Sequence, residues 1–431
     1  MLHQIRHKLH LEPGSAITVS TDSRNCQKGC VFFALKGDNF DGNQYAAAAL
    51  ANGAALAVVD DPSAAIDDSS YLLVDDTLKA LQQTAAQYRD EFDIPMVGIT
   101  GTNGKTTTKE LIAACLAQKF RIHYTQGNLN NHIGVPLTLL AMPCDTQIAI
   151  IEMGASHPGD INELVDIAHP TCGIITNVGK AHLQGFGSFD GVIKTKCELY
   201  DYLRAHDGFI FVNSANNILL KESEKRGLKR IEYAIGNEAH THAEITGHDN
   251  SCMLALSVNN TKIQTNLIGQ YNAENVLAAI AVATHFGVSI GQCKTAIENY
   301  RPTNNRSQLL KTANNTLIVD AYNANPTSME AALRNFKAIQ PDKPLLIIGQ
   351  MGELGEYQKE AHQHIINIIR QLGFNDVMLV GDNFRETDSG FTIFSTTAQL
   401  MQCLKDQPVH GKTILIKGSH SNRLDTITTL L

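Results

Sequence analysis

The segment GITGTNGKTTTKEL, residues 98–111, decides the fold of the middle of the chain. Its first residues complete the apolar run MVGIT (96–100), a predicted strand, and a glycine-rich turn then leads into a predicted helix. The backbone N–H groups of such a turn and the N-terminus of the helix together attract phosphate groups. The spacing is G-x-x-G-K-T rather than the usual G-x-x-x-x-G-K-[ST], because Ile99 stands where the first glycine would be. The flanking strand and helix favour an ATP-type phosphate site over an incidental glycine turn.

The side chains of this segment match what nucleotide phosphates need. Lys105 supplies a positive charge, and the hydroxyl of Thr106 is of the kind that joins a Mg²⁺ shell. The sequence therefore predicts ATP and Mg²⁺ as the partners of this loop. The predicted binding set is Gly101, Thr102, Asn103, Gly104, Lys105, Thr106 and Thr107.

Polar residues also stand at the carboxyl ends of two further predicted strands. Glu152 ends the run IAIIE and Asn177 ends GIITN, with His182 a few residues later. Open α/β sheets bind ligands at this edge, and Mg²⁺ takes oxygen ligands while it bridges phosphates. Glu152 is therefore a candidate metal ligand and His182 a second one, although a salt-bridged strand end is the alternative for Glu152. Lys194 and Lys196 in VIKTKCELY read as ordinary surface lysines on composition alone.

The composition indicates a globular, enzyme-sized protein. Of the 431 residues, 43% are hydrophobic and 18% charged, which is enough apolar material for about two to four compact units. The net charge is −8 and the 35 Lys and Arg residues are scattered, a pattern that favours small-molecule partners over nucleic acid. The longest apolar run, 46–59, is interrupted by Asn52 and Gly53, so neither export nor membrane insertion is predicted. Nine dispersed cysteines without a CxxC pair fit a reducing compartment, and we expect a cytoplasmic protein.

Alternating strand and helix patterns divide the chain into three predicted domains. The first, 1–93, is a small α/β unit that ends before Pro95, because proline removes a backbone donor and favours extended geometry before it. The second, 94–302, has a mostly parallel sheet around the phosphate loop and a hairpin turn at Asn259 and Asn260. The polar segment RPTNNRSQ (301–308) is read as a hinge. The third, 303–431, repeats the α/β pattern as a doubly wound unit.

The predicted elements of the outer domains can be compared directly with a structure. In the first domain, strands are predicted at 31–37, 55–61 and 71–76 and helices at 44–51 and 77–88. In the third, strands are predicted at 317–322, 345–350, 376–381 and 413–418.

Several motifs, spread in order over residues 21–421, resemble those of the Mur ligases. The motifs that carry the resemblance are GTNGKTTT (101–108), IIEMGASHPGDI (150–161), TNVGKAHLQGFGS (176–188), KTKCELY (194–200), YNAENVLAAIAVA (271–283), VDAYNANPTSMEAAL (319–333) and IKGS (416–419). The resemblance implies a small N-terminal α/β domain for a UDP-sugar peptide, a central P-loop ATPase-like domain, and a C-terminal Rossmann-like domain for the amine substrate.

The resemblance also implies a reaction. STDSR (20–24) and GNLNNHIG (127–134) are similar to the branch of the family that joins D-alanyl-D-alanine to UDP-N-acetylmuramoyl-tripeptide (UDP-MurNAc-tripeptide) for peptidoglycan precursors. In this branch ATP phosphorylates the terminal carboxylate of the tripeptide, and the dipeptide amine then attacks the acyl phosphate. Whether the third residue of the acceptor peptide is diaminopimelate or lysine stays open, and we expect a monomer.

The resemblance assigns roles to individual residues. Lys105 is expected at the β and γ phosphates, Thr106 and Glu152 at a first Mg²⁺, and His182 with Lys196 at a second. Lys196 would act as a carbamate, because a bare ammonium cannot bind a cation. The remaining expected contacts are adenine at Asn275, ATP at the hinge residue Arg306, the ribose or hinge at Asp320, and the UDP-sugar peptide at Ser23, Arg24, Asn130 and Asn131.

Two positions depart from the family pattern, and other functions remain as alternatives. Gln350 replaces the acid of a DMxELG element and His420 replaces the arginine of KGSR, both in the segment expected to meet the dipeptide. The alternatives are the ligase that adds the third amino acid, a folylpolyglutamate-type ligase, a P-loop kinase, and a nucleotide-binding module without catalysis. The absence of a DNPR-type motif argues against the first, and the joint presence of Lys105, Glu152, His182 and Lys196 argues against the last.

Overall fold

The computed structural model describes residues 1–67, 69–236, 239, 241–248, 253–302 and 306–431, without the side chains of 247 and 248. It contains three main sheets that occupy successive parts of the chain, each covered by helices. The predicted fold class, a small α/β domain followed by a phosphate-loop domain and a Rossmann-like domain, is confirmed. No helix in the described ranges is long and apolar enough to cross a membrane.

The N-terminal part builds a four-stranded parallel sheet in the order β1-β2-β5-β6, with a separate two-stranded ladder of β3 and β4. Its elements are α1 (Leu2–Lys8), β1 (Val19–Ser20), β2 (Val31–Phe33), β3 (Lys36–Gly37), β4 (Phe40–Asp41), α2 (Ala46–Ala51), β5 (Leu56–Val59), β6 (Tyr71–Leu73) and α3 (Thr77–Arg89). Short 3₁₀ helices cover Ser23–Asn25 and Gly42–Tyr45.

Two predictions for this part are corrected. The single strand expected over 31–37 is two strands, because a tight turn in which Leu35 N–H donates to Phe33 O breaks the ladder. The helix expected from residue 44 begins at Ala46, after a 3₁₀ turn that the Asp41 carboxylate caps by accepting the N–H of Asn43.

The central part forms a nine-stranded sheet in the order β15-β14-β13-β12-β11-β10-β7-β9-β8. Neighbouring strands from β13 to β8 pair in parallel, and the two remaining pairings, of β13 with β14 and of β14 with β15, are antiparallel. Its strands are β7 (Met96–Thr100), β8 (Ile122–Tyr124), β9 (Ile148–Glu152), β10 (Cys172–Ile175), β11 (Phe209–Asn213), β12 (Lys229–Ile235), β13 (Thr241–His248), β14 (Met253–Val258) and β15 (Thr261–Ile268). Its helices are α4 (Lys105–Leu116), α5 (Gly134–Leu140), α6 (Asp160–Ala168), α7 (Leu183–Phe186), α8 (Phe189–Ala205), α9 (Asn217–Lys225), α10 (Asn272–His285) and α11 (Ile290–Asn299).

Sequence explains the arrangement of this sheet. Every residue of β7, β9 and β10 is buried, as expected for strands covered on both faces. The predicted hairpin turn lies between β14 and β15, where Asn259 and Asn260 both adopt positive φ, as a two-residue turn requires. The alanine-rich helix α10 packs closely on α4, the helix that follows the phosphate loop.

The C-terminal part forms a six-stranded sheet in the order β16-β17-β21-β18-β19-β20, parallel except for the edge strand β16. Its elements are β16 (Gln308–Lys311), β17 (Thr316–Asp320), α12 (Pro326–Ala338), β18 (Pro344–Gly349), α13 (Gln358–Gln371), β19 (Val377–Val380), β20 (Thr392–Phe394), α14 (Thr397–Asp406) and β21 (Thr413–Lys417). The four predicted strands are present, and the two short edge strands β16 and β20 were not predicted.

The domain limits at 93/94 and 302/303 stay predictions. The first limit falls between α3 and β7. Residue 303, and with it Asn304 and Asn305 of the predicted hinge, lies outside the described residues.

The N-terminal and central parts share one apolar core. Helix α3 packs on α5 and α6, and it ends in two buried side chains that bond across to the central part. The hydroxyl of Tyr88 donates to the carbonyl of Met142 at 2.8 Å. The guanidinium of Arg89 donates to the carbonyls of Ala168 and His169, each at 3.1 Å.

We expect Tyr88→Phe to weaken this junction. The change keeps the ring in the core but leaves the buried Met142 carbonyl unpaired, which costs about 1–3 kcal/mol of unfolding free energy. Thermal unfolding followed by circular dichroism should show a lower Tm. The control is Tyr45→Phe, since the Tyr45 side chain is exposed. Equal Tm values for the two variants would contradict the assigned bond.

Candidate active site

A cavity of about 1090 Å³ lies between the central and C-terminal parts. Its central wall is made by the loops that follow β7, β9 and β10, and its opposite wall by the loops that follow β17, β18 and β21. All six strands are parallel members of their own sheets, so their carboxyl ends face the same opening. The cavity therefore sits where two α/β sheets present their ligand-binding edges to each other.

The phosphate loop depends on a glycine at its last position. Gly104 caps the N-terminus of α4 with a φ of +79°, a left-handed conformation that favours glycine. An added Cβ there would lie 2.5 Å from Oδ1 of Asn275. Asn275 is itself fixed, because its Oδ1 accepts from Thr108 Oγ1 at 3.1 Å and its amide donates to Asn272 at 2.9 Å.

Lys105 bonds to the carbonyl oxygens of its own loop. Its ammonium donates to Gly101 O at 2.8 Å and to Thr102 O at 3.1 Å. Burial lowers the pKa of Lys105, and the carboxylate of Glu152 opposes that shift. The first turn of α4 thus presents a partly desolvated cation together with free backbone N–H groups, which is what an anionic ligand needs.

A buried carboxylate lies beside the loop. Glu152 is 1% exposed, and its Oε1 accepts from Thr106 Oγ1 at 3.1 Å and from Asn130 Nδ2 at 2.8 Å. Its Oε2 is buried without a hydrogen bond and lies 3.6 Å from the ammonium of Lys109, which is also 1% exposed. A buried oxygen with spare lone pairs next to a threonine hydroxyl is suited to a hard cation.

The interpretation of Lys196 as an ordinary surface lysine is wrong. Lys194 is exposed on α8, whereas Lys196 is 2% exposed and its Nζ donates to Ala155 O at 3.4 Å. In the described part of the chain no carboxylate lies within 4.0 Å of that nitrogen. Burial lowers the pKa of Lys196 well below that of a free lysine, and the charge of Lys105 adds to the effect.

His182 joins the two walls of the cavity. Its Nδ1 pairs with the carboxylate of Glu353, which belongs to the loop after β18. Burial is the main reason that the pKa of His182 is lowered. The side chain lines the same cavity as Thr106 and Glu152.

The C-terminal wall carries its own cation and ion pair. The guanidinium of Arg306 lies over the ring of Tyr322, 3.9 Å from the ring centre. Asp320, at the end of β17, accepts a hydrogen bond of 2.6 Å from Lys417, which is buried at the end of the neighbouring β21. Both Arg306 and Asp320 line the cavity, and their contact with a nucleotide stays a prediction.

Comparison with known proteins decides the family. Three family models match in order: the Mur ligase family catalytic domain over 17–89, the Mur ligase middle domain over 99–283, and the Mur ligase glutamate ligase domain over 305–420. The chain belongs to the Mur ligase family.

Individual relatives are similar over nearly the whole chain. The UDP-N-acetylmuramoyl-tripeptide–D-alanyl-D-alanine ligase of Bacillus subtilis is 33% identical, covering 95% of this chain and 92% of that protein. The ligase of the same name from Escherichia coli is 34% identical, with coverages of 96% and 93%. The crystal structure of MurF from Acinetobacter baumannii superimposes with a TM-score of 0.86 at 28% identity, covering 100% of this chain and 98% of that one.

The structure of this Mur ligase places most predicted site residues in one cavity, and separates others from it. Asn130 and Asn131 both line the cavity. Asn130 also holds Glu152, and the Asn131 side chain caps the start of α5 by accepting the N–H of Gly134 at 2.8 Å. Ser23 and Arg24 lie elsewhere, on a 3₁₀ helix where Arg24 pairs with Asp22.

The two residues that depart from the Mur ligase pattern, His420 and Gln350, lie in different surroundings. His420 lines the cavity, with its ring 5.7 Å from that of Tyr322. Gln350 instead supports the fold, because its Oε1 accepts from Asn383 N–H at 3.3 Å and its carbonyl accepts from Ser419 and Asn422.

The polar residues that were not predicted from the sequence and that bond within or beside this Mur ligase site include Lys109, Asn325, Glu353 and Lys417. Lys109 had a local signal, since it lies three residues after Thr106 and therefore on the same face of α4. The other three act across distant parts of the chain, and no local pattern marks them.

We expect Gly104→Ala to destabilise the protein more than Gly159→Ala. Both glycines cap helices at positive φ, +79° and +90°. Each substitution therefore places an alanine in the left-handed region, which lowers the free energy of unfolding by about 1–2 kcal/mol. Only the Cβ at 104 meets a neighbour, Asn275, whereas the space around Gly159 is open. Differential scanning fluorimetry should therefore show the larger fall in Tm for Gly104→Ala. A matching fall for both variants would contradict the close packing of the loop on α10.

Proposed function

We propose that this Mur ligase joins D-alanyl-D-alanine to UDP-MurNAc-tripeptide at the expense of ATP, in peptidoglycan precursor synthesis. The observation that carries the proposal is the similarity, over 95–96% of the chain, to ligases of that name at 33–34% identity. The cavity supports it, because the phosphate loop and Glu152 face the C-terminal wall across a space that can hold more than one ligand. We also infer a cytoplasmic location, since the proposed substrates are soluble, and we propose that the enzyme is a monomer.

The phosphate loop would hold the nucleotide. The backbone N–H groups of residues 104–107, at the N-terminus of α4, favour the β and γ phosphates electrostatically, whereas those of Thr102 and Asn103 already donate to Asn177. Lys105 would exchange its bonds with loop carbonyls for bonds to phosphate oxygens. Arg306 and Asp320 approach from the other wall, and Asn275 lies behind the loop.

The donor atoms at Glu152 fit Mg²⁺. The unpaired Oε2 of Glu152 and the hydroxyl of Thr106 are oxygen donors at the edge of the cavity, and Mg²⁺ in nucleotide sites takes few protein ligands besides phosphates and water. When bound, this ion would neutralise charge on the phosphates during transfer. Asn130 would keep the Glu152 carboxylate in place through its bond to Oε1.

His182 and Lys196 would hold a second ion. Addition of CO₂ to the neutral amine of Lys196 would form an N–C bond, release one proton and leave a carbamate with two oxygen donors. Burial away from acidic partners favours the neutral amine that this addition needs. His182 contributes a ring nitrogen beside the cavity, and Glu353 orients the ring from the opposite wall.

The reaction needs no protein nucleophile. The peptide carboxylate would attack the γ phosphorus, the bond from that phosphorus to the ADP oxygen would break, and an acyl phosphate would form. The neutral dipeptide amine would then attack the acyl carbon, and phosphate would leave as the amide forms and a proton is lost. The chain contributes mainly by positioning three substrates and neutralising charge, and positioning alone is worth about 7–11 kcal/mol in well-oriented systems.

We expect ATP-dependent phosphate release only when UDP-MurNAc-tripeptide and D-alanyl-D-alanine are both present. A coupled phosphate assay measures release, and mass spectrometry identifies the amide product. Reactions with UDP-MurNAc-dipeptide plus diaminopimelate, and with a folate plus glutamate, test the alternative ligases. Turnover that does not need the dipeptide would sink the assignment, and a phosphorylated final product would favour a kinase.

We expect Lys196→Ala to lose activity by about 100-fold, because a metal-supporting group is removed. Bicarbonate or a short carboxylate such as formate should restore part of the activity by filling the vacated space. Lys194→Ala is the matched control, since Lys194 lies on the same helix but is exposed. Steady-state rates with and without each additive give the comparison. Full activity of untreated Lys196→Ala would refute the carbamate role.

A further inference from the structure

Two loops of the C-terminal sheet reach across the cavity and bond to loops of the central sheet. Asn325, in the loop after β17, donates its side-chain N–H to Oδ1 of Asn103 at 2.8 Å. Glu353, in the loop after β18, pairs with His182. Strands β17 and β18 flank β21 and run parallel to it, so both loops leave the sheet on the side that faces the phosphate loop. The first of these bonds reaches the phosphate loop itself.

The oxygen and the nitrogen of the Asn325 side-chain amide bond to different partners. Its Oδ1 accepts the N–H of Ser328 at 2.9 Å, and Ser328 Oγ accepts the N–H of Asn325 at 3.1 Å, so the pair forms a capping box at the start of α12. Asn325 is only 5% exposed. Because the oxygen is fixed by the helix, the NH₂ group has a fixed direction, and it points at Asn103. Asn325 is therefore a rigid donor rather than a flexible surface amide.

Asn103 is held from both sides of the cavity. Its N–H donates to Asn177 Oδ1 at 2.9 Å. Its carbonyl accepts from Thr176 Oγ1 at 2.6 Å and from Asn177 Nδ2 at 3.0 Å. These three bonds fix its backbone within the central domain, and among the described residues only the side-chain bond comes from the C-terminal domain. The geometry of the phosphate loop at Asn103 thus has one contribution that exists only while the two domains are docked.

Close packing surrounds this bond. An added Cβ at Gly179 would lie 3.2 Å from Thr327 Oγ1 in the first turn of α12. Gly179 N–H in turn donates to Thr102 Oγ1 at 2.9 Å, so the loop after β10 lies between α12 and the phosphate loop.

From this geometry we infer that Asn325 is a positioning residue for the nucleotide: through Asn103 it couples docking of the C-terminal domain to the affinity of the phosphate loop. The inference rests on the proposed function for the identity of the ligand as an adenine nucleotide. A docked C-terminal domain would preorganise the loop before phosphate arrives. Because coupling between two equilibria is reciprocal, bound nucleotide would favour the docked arrangement by the same factor. A neutral hydrogen bond corresponds to about a three- to tenfold change in affinity.

Asn325→Ser separates the two roles of this side chain. Serine caps helices about as well as asparagine, so α12 should keep its start. The shorter side chain cannot place a donor at Asn103 Oδ1. Asn325→Ala removes both the cap and the bond. Ser289→Ala is the matched control for loss of a cap, since Ser289 forms the same kind of capping box on α11 and does not line the cavity.

The experiment measures the Kd of ADP with Mg²⁺ by isothermal titration calorimetry on the full chain, together with Tm. We expect Asn325→Ser to weaken ADP binding by about three- to tenfold at unchanged Tm. Asn325→Ala should weaken it as much and lower Tm, and Ser289→Ala should lower Tm alone. In an Asn103→Ala background, the effect of Asn325→Ser on Kd should disappear, because the acceptor is gone.

Each outcome decides the inference. Wild-type ADP affinity in Asn325→Ser overturns it, and so does a loss that persists in the Asn103→Ala background. If the wild-type protein binds ADP but fails the ligase assay, the proposed function is wrong and the inference still holds. If the wild-type protein does not bind ADP, both the proposed function and the inference are wrong.

Discussion

The buried pairing of Glu152 with Lys109 is the constraint on which the site depends. A carboxylate at 1% exposure is costly unless cations and donors surround it, and here Lys109, Thr106 and Asn130 do so. Thr106 and Lys109 lie on one face of α4, so the pairing fixes the rotation of that helix against β9. Because the phosphate loop leads directly into α4, this contact also determines the position of the loop. Removing one partner would leave a buried charge unpaired, which is why the register of helix and strand has little freedom.

Charge compensation also explains how a chain with a net charge of −8 can attract anionic ligands. Five basic side chains lie in or beside the cavity, but two of them are already paired with carboxylates, Lys109 with Glu152 and Lys417 with Asp320. The cations left for a ligand are Lys105 and Arg306, together with the N-terminus of α4, because burial favours the neutral amine of Lys196. Attraction is therefore local and directional. The surface can stay acidic without repelling a nucleotide from a site that is walled on two sides by protein.

The fold was largely predictable because its signals are local, and the site was predictable only where its residues follow such signals. The strand at 96–100 was predicted to the residue, since a fully buried parallel strand is a continuous apolar run. The prediction that Lys196 is a surface lysine was wrong because it rested on composition alone. The helical period of α8 places Lys196 on the buried face. Val192, Lys196 and Leu199 recur at spacings of four and three on the buried face of α8, and Lys194 falls outside it.

Contacts between domains have no local sequence pattern that predicts them. The C-terminal wall of the cavity shows how the side chains that make such contacts are nevertheless oriented. Asn325 is oriented by a capping box with Ser328, and Lys417 is oriented by Asp320 on the adjacent strand. In both cases a bond inside the C-terminal domain fixes the side chain, and its remaining surface is turned to the cavity. Because these local bonds form when the C-terminal domain folds, little side-chain entropy is left to lose when the domains dock. Docking then needs only rigid-body placement, which allows single hydrogen bonds across the cavity to be made without a separate ordering cost.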